Sequence, residues 1–418
     1  MNLTPLMTLD LSNRVGQCRA RPVHLGPDRP RAVLLAYGAD FDVDPYTEMF
    51  FFPTDTLKLA VFTVEGELLW RRDLGPGVVP GMWFCPIFAF DLDGDGVDEI
   101  WFVNNVNTQH PLGVSGYRLE RLNGLTGESM GQWPWPRWPE GTLSHTFRNF
   151  IRGGSVNGRP VLLTAQGTYE HMHLQGWDAD MGHRWTYDIP ADAPGARGSH
   201  QCPIVDLNQD GIDEVLWGER CISLDDGREL FCADRDVYGG HSDVINPFFD
   251  AEAGRWFVFT TRESDPKASP RVALFDDRGR RVWGAVDRGH MDMGWVATIG
   301  DQRRRVAMAI RIGTKTCGPD GRFHENPEQF VFDALTGEPI DLPFSVYRTR
   351  PADLDGDGVD ELVRDRPGAD ADVLDRHGAL LGTLEGNVAL TAPLCDRPGH
   401  QVLTFRDDGV VKLWAANV

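Results

Sequence analysis

One element recurs seven times along the chain: an alternating apolar strand, a tight Gly/Asp turn and a second strand that usually carries Trp or Leu. The copies are LAVFTVEGELLW (59–70), ERLNGLTGESMGQW (120–133), GWDADMGHRW (176–185), CISLDDGRELF (221–231), VALFDDRGRRVW (272–283), FVFDALTGEPIDL (330–342) and ADVLDRHGALLG (371–382). Period-two alternation on both sides of a turn that asks for Gly is the pattern of a β-hairpin. Two more strands fit between successive hairpins, as in CPIFAFDLDGDGVDEIWFV (85–103) and CPIVDLNQDGIDEVLWG (202–218). The repeat is therefore four antiparallel strands, a to d, recurring at roughly the 50-residue spacing of a propeller blade.

The chain end says how the repeat closes. Residues 388–416 supply strands a, b and c (VALTAPL, HQVLTF, VVKLWAAN) and stop, while LMTLDL (6–11) is a spare strand ahead of the first unit. Pairing the two ends completes the last blade. The expectation is an all-β, single-domain β-propeller over 1–418 with eight blades, or seven if two short units merge.

Composition narrows the partners. The net charge of −21 argues against nucleic acid and anionic membrane surfaces, and no apolar run approaches the ~20 residues that span a bilayer. Cys18, Cys85, Cys202, Cys221, Cys232, Cys317 and Cys395 are odd in number and lack a disulfide-like spacing. The first residues have neither a basic nor an apolar leader segment. The reading is a cytoplasmic monomer with reduced thiols.

Three near-copies of an acidic nonapeptide occupy a–b turns. Asp91, Asp93, Asp95, Asp98 and Glu99 are matched by Asp206, Asn208, Asp210, Asp213 and Glu214, and by Asp353, Asp355, Asp357, Asp360 and Glu361. Alternate oxygen donors around Gly in a tight loop are how hard cations are wrapped, so these loops are expected to hold structural Ca²⁺.

Strand alternation puts the a–b and c–d turns on one rim, and the longer b–c and d–a connections on the other. Those longer connections hold a dense polar set: His145, Arg197, His200, Tyr238, His241, Asp243, His290, Trp295 and Arg348 near strand-a entrances, and Tyr169, His171, Arg220, Arg262, Glu263, Arg311, Lys315 and His324 in b–c connections. His200, His241 and His290 open three consecutive blades. Polar loops on a rigid scaffold are where function concentrates. Several Arg at one mouth suit an anionic ligand such as a uronate, and Trp295 suits a sugar ring. Tyr and His beside Arg suit β-elimination: a cation holds the uronate carboxylate, a base takes the C5 proton and an acid serves the leaving oxygen at C4.

The acidic loops resemble those of FG-GAP-type propellers. The stretch GIDEVLWGERCISLDDGRELFCADRDVYGGHSDVINPFFD (211–250), with RVALFDDRGRRVWGAVDRGHMDMGWVA (271–297), resembles the rhamnogalacturonan lyase propellers of polysaccharide lyase family 11, with GGHSD in place of GHGD. The resemblance implies a carbohydrate lyase acting on rhamnose–uronate linkages, with Ca²⁺ also near the active site, for which His241, Asp243 and Glu263 are the candidates. His/carboxylate ligation leaves a transition metal open. On this reading His171 or His200 is the base and Tyr169 or Tyr238 the acid. Arg197, Arg262 or Arg311 holds the carboxylate, and His145, Arg220, His290, Trp295, Lys315, His324 and Arg348 contact substrate. The alternatives are a glycoside hydrolase using two of Glu170, Glu219 and Glu263, and a non-catalytic sugar- or protein-binding propeller.

Overall fold

In the computed structural model, residues 1–107, 110–135, 141–263, 269–319, 321–366 and 368–417 are described. They form an eight-bladed β-propeller of antiparallel sheets. Helix is confined to one five-residue turn, Leu143–Phe147, and two 3-10 turns among the described residues. Among those residues, no helix is long and apolar enough to cross a membrane. The sequence reading takes 1–418 as one domain; the chain packs as two compact units, residues 1–136, 316–323 and 348–418, and residues 137–315 and 324–347.

The first unit holds four blades. The first blade is Gln17–Val23, Ala32–Gly38, Lys58–Thr63 and Leu68–Asp73, and the second is Ile87–Phe90, Glu99–Asn105, Tyr117–Asn123 and Ser129–Pro134. The seventh is Thr349–Ala352, Glu361–Arg364, Ala371–Leu374 and Leu380–Leu384. The eighth takes Asn387–Ala392, Gln401–Phe405 and Val410–Ala416 from the chain end and its outer strand, Leu3–Asp10, from the chain start. That pairing runs from Leu3 opposite Ala416 to Asp10 opposite Val410, so the expected closure of the last blade is present. Beneath it, Met7, Leu9, Leu11, Leu403, Val411 and Leu413 pack with Val33, Leu35 and Phe62 of the first blade.

The second unit holds the third to sixth blades. The third is Asn149–Val156, Arg159–Gln166, Met172–Trp177 and His183–Ile189; the fourth is Ile204–Val205, Glu214–Trp217, Arg220–Ser223 and Glu229–Cys232. The fifth is Ser242–Asp250, Arg255–Arg262, Val272–Asp276 and Arg281–Ala285. The sixth has three full strands, His290–Ala297, Val306–Ile312 and Glu328–Asp333. A single bridge, Phe332 to Pro339, stands where its fourth strand is expected.

The recurring Trp of the outer strands has a packing reason. Trp70, Trp185 and Trp283 each donate the indole N–H to a backbone oxygen in the next hairpin turn, Gly124 (2.8 Å), Leu224 (2.8 Å) and Ala334 (3.0 Å). Each ring lies against the glycine of that turn, where a Cβ on Gly127, Gly227 or Gly337 would come within 2.5–2.7 Å of it. These glycines also have φ of +71 to +74°, which L-residues adopt at a cost. The Trp/Gly pairing thus joins neighbouring blades with a satisfied hydrogen bond and a large ring, buried at Trp70 and Trp185 and partly buried at Trp283.

Candidate functional site

The three acidic loops take one backbone form. In the second, Asp206 Oδ1 and Oδ2 accept from the N–H groups of Asp210 (3.0 Å) and Gly211 (2.9 Å), and Glu214 Oε2 accepts from Leu207 (2.8 Å). Burial first, then Asp210 and Asp206, push the Glu214 carboxyl up to about 7. Asp98 and Asp213, which the sequence groups with the ligands, are directed to the preceding blade: Asp98 Oδ2 accepts from His24 N–H (2.7 Å) and Asp213 Oδ2 from Ser155 N–H (2.6 Å).

The polar centre of the second unit is built by the fourth, fifth and sixth blades. His200 precedes the fourth blade, His241 and Asp243 open the fifth, Glu263 follows its second strand, and His290 and Asp292 lie on the first strand of the sixth. His200 Nδ1 lies 3.0 Å from Asp243 Oδ1, and His241 Nε2 lies 3.6 Å from the same atom while touching Glu263 Oε2. His290 Nε2 contacts the other Glu263 oxygen and lies 3.5 Å from Asp292. Lys315 Nζ sits 2.8 Å from Asp292 Oδ1, and His324 Nε2 is 3.2 Å from Oδ2. The three successive histidines predicted to share a mouth therefore converge. Asp292 is a member that sequence reading passed over as a ligand, although it stands two residues after His290 on the same face of a strand.

Electrostatics in this centre is dominated by three crowded carboxylates. Burial and the neighbouring Glu263 hold the Asp243 carboxyl well above the usual carboxylate range. Burial alone would raise Glu263 and Asp292 too. Instead His241 and His290 hold Glu263 well below that range, and His290, Lys315 and His324 do the same for Asp292. His290 is pushed up to about 9, since Asp292 and Glu263 outweigh its burial.

These residues fit a cation. The donor atoms of His200, His241, Asp243 and Glu263, and those of Asp243, Glu263, His290 and Asp292, lie within 4.8 Å of one another. That is the spread of ligands about 2.3–2.6 Å from one ion. Asp243 Oδ1 and His290 Nε2 are buried and make no well-formed hydrogen bond despite their close neighbours.

Beside it, Tyr169 OH is hydrogen-bonded to His200 Nε2 at 3.2 Å, and its ring stands edge-on to His241 at 4.3 Å. The Arg148 guanidinium lies 5.3 Å above the Tyr169 ring. His145 Nε2 meets the backbone oxygen of His171 at 2.7 Å. His171 itself faces Asp188, with Nε2 at 3.1 Å, so it belongs to a separate group.

Other predicted residues serve the framework. Arg262 is fully buried, donating to Glu219 (2.9 Å), Asp234 (2.9 Å) and Pro270 O (3.0 Å) while stacking at 4.3 Å on Tyr238. Glu219 also accepts from Ser242 and Thr260. Tyr238 is buried and donates to His241 O. Arg220 donates to Ala196 O (2.9 Å) and pairs with Glu229 (2.5 Å). Arg197 reaches Pro190 O (2.7 Å) and Arg311 pairs with Glu328. Trp295 is buried, and Arg348 lies in the first unit, donating to Arg322 O (2.8 Å). Of the expected carboxylate-binding arginines, Arg262 is thus spent on Glu219 and Asp234, and the expected acid Tyr238 is spent on the backbone of His241.

Comparisons with known proteins place this geometry. Residues 154–312, which contain Tyr169, His200, His241, Asp243, Glu263, His290 and Asp292, match the profile of rhamnogalacturonan lyase family 11, C-terminal domain. The chain is 26% identical over 281 residues to rhamnogalacturonan exolyase YesX of Bacillus subtilis, covering 59% of this chain and 45% of that protein. It is 23% identical over 280 residues to rhamnogalacturonan endolyase YesW of the same organism, covering 59% and 44%. The matched stretch spans less than half the length of either relative. The crystal structure of exotype rhamnogalacturonan lyase YesX superposes with a TM-score of 0.78 at 20% identity, over 99% of this chain and 75% of that one. The chain thus resembles rhamnogalacturonan lyases, over part of its length in sequence and over its whole length in fold.

Proposed function

We propose that this protein is a carbohydrate lyase that cleaves rhamnose–uronate linkages of the rhamnogalacturonan type by β-elimination. The observation that carries the reading is the Tyr169–His200–Asp243 chain, with contacts of 3.2 and 3.0 Å, set against a cluster of cation-ligating side chains. The family profile matched over residues 154–312, which include these side chains, supports it.

His200 takes the C5 proton of the uronate, the C4–O bond breaks as the C4=C5 bond forms, and Tyr169 O–H protonates the leaving oxygen. The tyrosinate then recovers its proton from the His200 imidazolium along their hydrogen bond. Asp243, 3.0 Å from His200 Nδ1, orients the ring. His241, Asp243, Glu263, His290 and Asp292 would hold a cation, which when bound would supply positive charge for the uronate carboxylate and so acidify C5–H. We take that ion, and those of the 206–214 and 353–361 loops, to be Ca²⁺, the 91–99 loop having Arg121 on Asp93 and Glu99 instead. The glycosidase alternative has lost one member, since Glu219 is buried against Arg262, Ser242 and Thr260. The seven unbridged thiols support a reducing compartment as part of the same proposal.

The test is a rhamnogalacturonan digest with and without Ca²⁺, followed at the ~235 nm band of the unsaturated uronate that β-elimination leaves. Tyr169→Phe and His200→Ala are expected to lower the rate at least ~10²-fold, the scale of losing a positioned acid or base. New reducing ends without absorbance would replace the lyase by a hydrolase. Neither signal would leave a binding propeller.

A further inference from the structure

A second group of metal-ligating side chains lies on the outer half of the third blade. His173 is the second residue of the strand Met172–Trp177 and His171 immediately precedes that strand, and both rings reach the same carboxylate. Asp188, on the strand His183–Ile189, is the direct cross-strand partner of His173. Its Oδ1 lies 3.1 Å from His171 Nε2 and 2.7 Å from His173 Nδ1. All three donor atoms fall within 4.8 Å of one another. The rings are 15% and 19% exposed and the carboxylate 46%, so an ion can enter from solvent while the imidazoles are held by the sheet. Burial would raise Asp188, but His173 and His171 outweigh it and hold the carboxyl below its usual range.

We propose that His171, His173 and Asp188 form a separate binding site for a divalent transition ion, Zn²⁺ being the best match. Two imidazole nitrogens and one carboxylate oxygen, with a fourth position open, suit Zn²⁺, Ni²⁺ or Cu²⁺. Ca²⁺ asks for six or more oxygens, which this group lacks. The site has a job in the fold. Tyr169 holds a φ of +82° and Gly167 one of +92°, so the segment between them is tightly bent. It is tied at Tyr169 N–H to Arg197 O (3.1 Å) and at His171 O to His145 (2.7 Å). An ion on His171 fixes the end of the bend that presents Tyr169. The ligand geometry stands whether or not the lyase reading does.

The experiment uses the full chain, saturated with Ca²⁺ and stripped of transition metals, titrated with Zn²⁺ in a calorimeter. One equivalent is expected to bind with a Kd of about 1 μM or tighter. His173→Ala and Asp188→Asn are expected to weaken it by roughly tenfold to a hundredfold or more, while His241→Ala retains it. Cu²⁺ loaded at one equivalent should show two nitrogen couplings by electron paramagnetic resonance, and one in His173→Ala. The Asp188→Asn variant keeps size and both rings, so it tests the site even if His173→Ala folds poorly. The proposal falls if Zn²⁺ binds no tighter than about 0.1 mM. It also falls if His241→Ala removes the equivalent that His173→Ala and Asp188→Asn keep, or if the two nitrogen couplings survive in His173→Ala.

Discussion

Residues 91–99 and 353–361 are the same nine amino acids, DLDGDGVDE, in two different settings. The backbones agree. Asp91 accepts from Gly94 (2.8 Å) and Gly96 (2.9 Å), and Asp353 from Gly356 (2.8 Å) and Gly358 (3.0 Å). Glu99 accepts from Leu92 (2.9 Å) and Glu361 from Leu354 (3.0 Å). One difference in the surroundings bears directly on charge. Arg121, paired across the sheet with Trp101, sends its guanidinium to both Asp93 and Glu99, and stacks 5.6 Å above the Trp101 ring. The same position in the seventh blade, opposite Val363, is Val373, buried and apolar; in the fourth, opposite Leu216, it is Cys221. One copy thus carries its own cation, and the other two have Val373 and Cys221 at that place. A motif that reads as an ion site is completed, or pre-empted, by a side chain from the neighbouring strand.

The largest test of this difference is calcium dependence. Under the proposed Ca²⁺ role, the 353–361 loop needs the ion and the 91–99 loop does not. At a thousandfold excess over Kd, a bound ion stabilises the fold by about 4 kcal/mol. Asp355→Ala should therefore abolish most of one site's share of the Ca²⁺-induced rise in Tm, whereas Asp93→Ala, the matching change, should leave that rise nearly intact. Equal losses in the two variants, measured by calorimetry with and without chelator, would remove the distinction.

The next effect comes from Arg121→Val, which gives the first loop the residue of the seventh blade. Glu99 is buried and Asp93 only one-third exposed, so losing their shared partner should cost about 2–3 kcal/mol in chelator. Added Ca²⁺ should restore stability, with one more equivalent bound. A variant that loses stability and gains no ion would mean that the loop is not a cation site in any form.

The two loops also show what the sequence could and could not carry. The nonapeptides announce themselves, and so do the hairpins, because alternation and turn chemistry are local. Strand 6–11 was found by subtraction, as the one element the last blade lacked. Arg121 has no such signal: it stands 22 residues after Glu99, and only the register of adjacent strands brings them together. Asp188 was missed for the same reason, being visible only as the cross-strand partner of His173. Arg262 and Tyr238 were read as exposed chemistry because a residue near a strand end looks accessible; Glu219 and Asp234, far apart in sequence, turn Arg262 inward. Composition places polar residues at a blade entrance but does not say which are already paired.

pH sharpens the comparison by a smaller amount. Burial, with Asp355, Asp357 and Asp353 adding to it, pushes the Glu361 carboxyl up to about 7; burial keeps Glu99 near 7 as well, although Arg121 opposes it. A carboxyl raised in the folded state binds its proton more tightly there than in the unfolded chain. Its penalty is absent below the unfolded value of about 4.5 and grows as pH rises to about 7. In chelator, stability should fall across that window by about 1–2 kcal/mol per such carboxyl after solvent screening. Glu361→Gln should flatten part of the slope, and Ca²⁺ should remove it. A slope that Ca²⁺ leaves unchanged would assign it to carboxyls outside the loops.

The smallest effect separates charge from shape at Arg121. Lysine keeps the positive charge but loses the planar fork that reaches two carboxylates at once and the flat face that stacks on Trp101. If the first loop needs only a point charge near Asp93 and Glu99, as a bound cation would supply, Arg121→Lys should be close to neutral. The contacts argue for a modest dependence on shape, because Asp93 and Glu99 are both met by Arg121 Nη2 while the guanidinium carbon rests over the ring. Arg121→Lys should therefore cost about 0.5–1 kcal/mol in chelator, well short of the loss in Arg121→Val. It should also bind no additional Ca²⁺, since the ammonium still occupies the place between the two carboxylates. A lysine variant that takes up Ca²⁺ as the valine variant does would show that the guanidinium excludes the ion by its fit, and that charge alone is too weak to stand in for it.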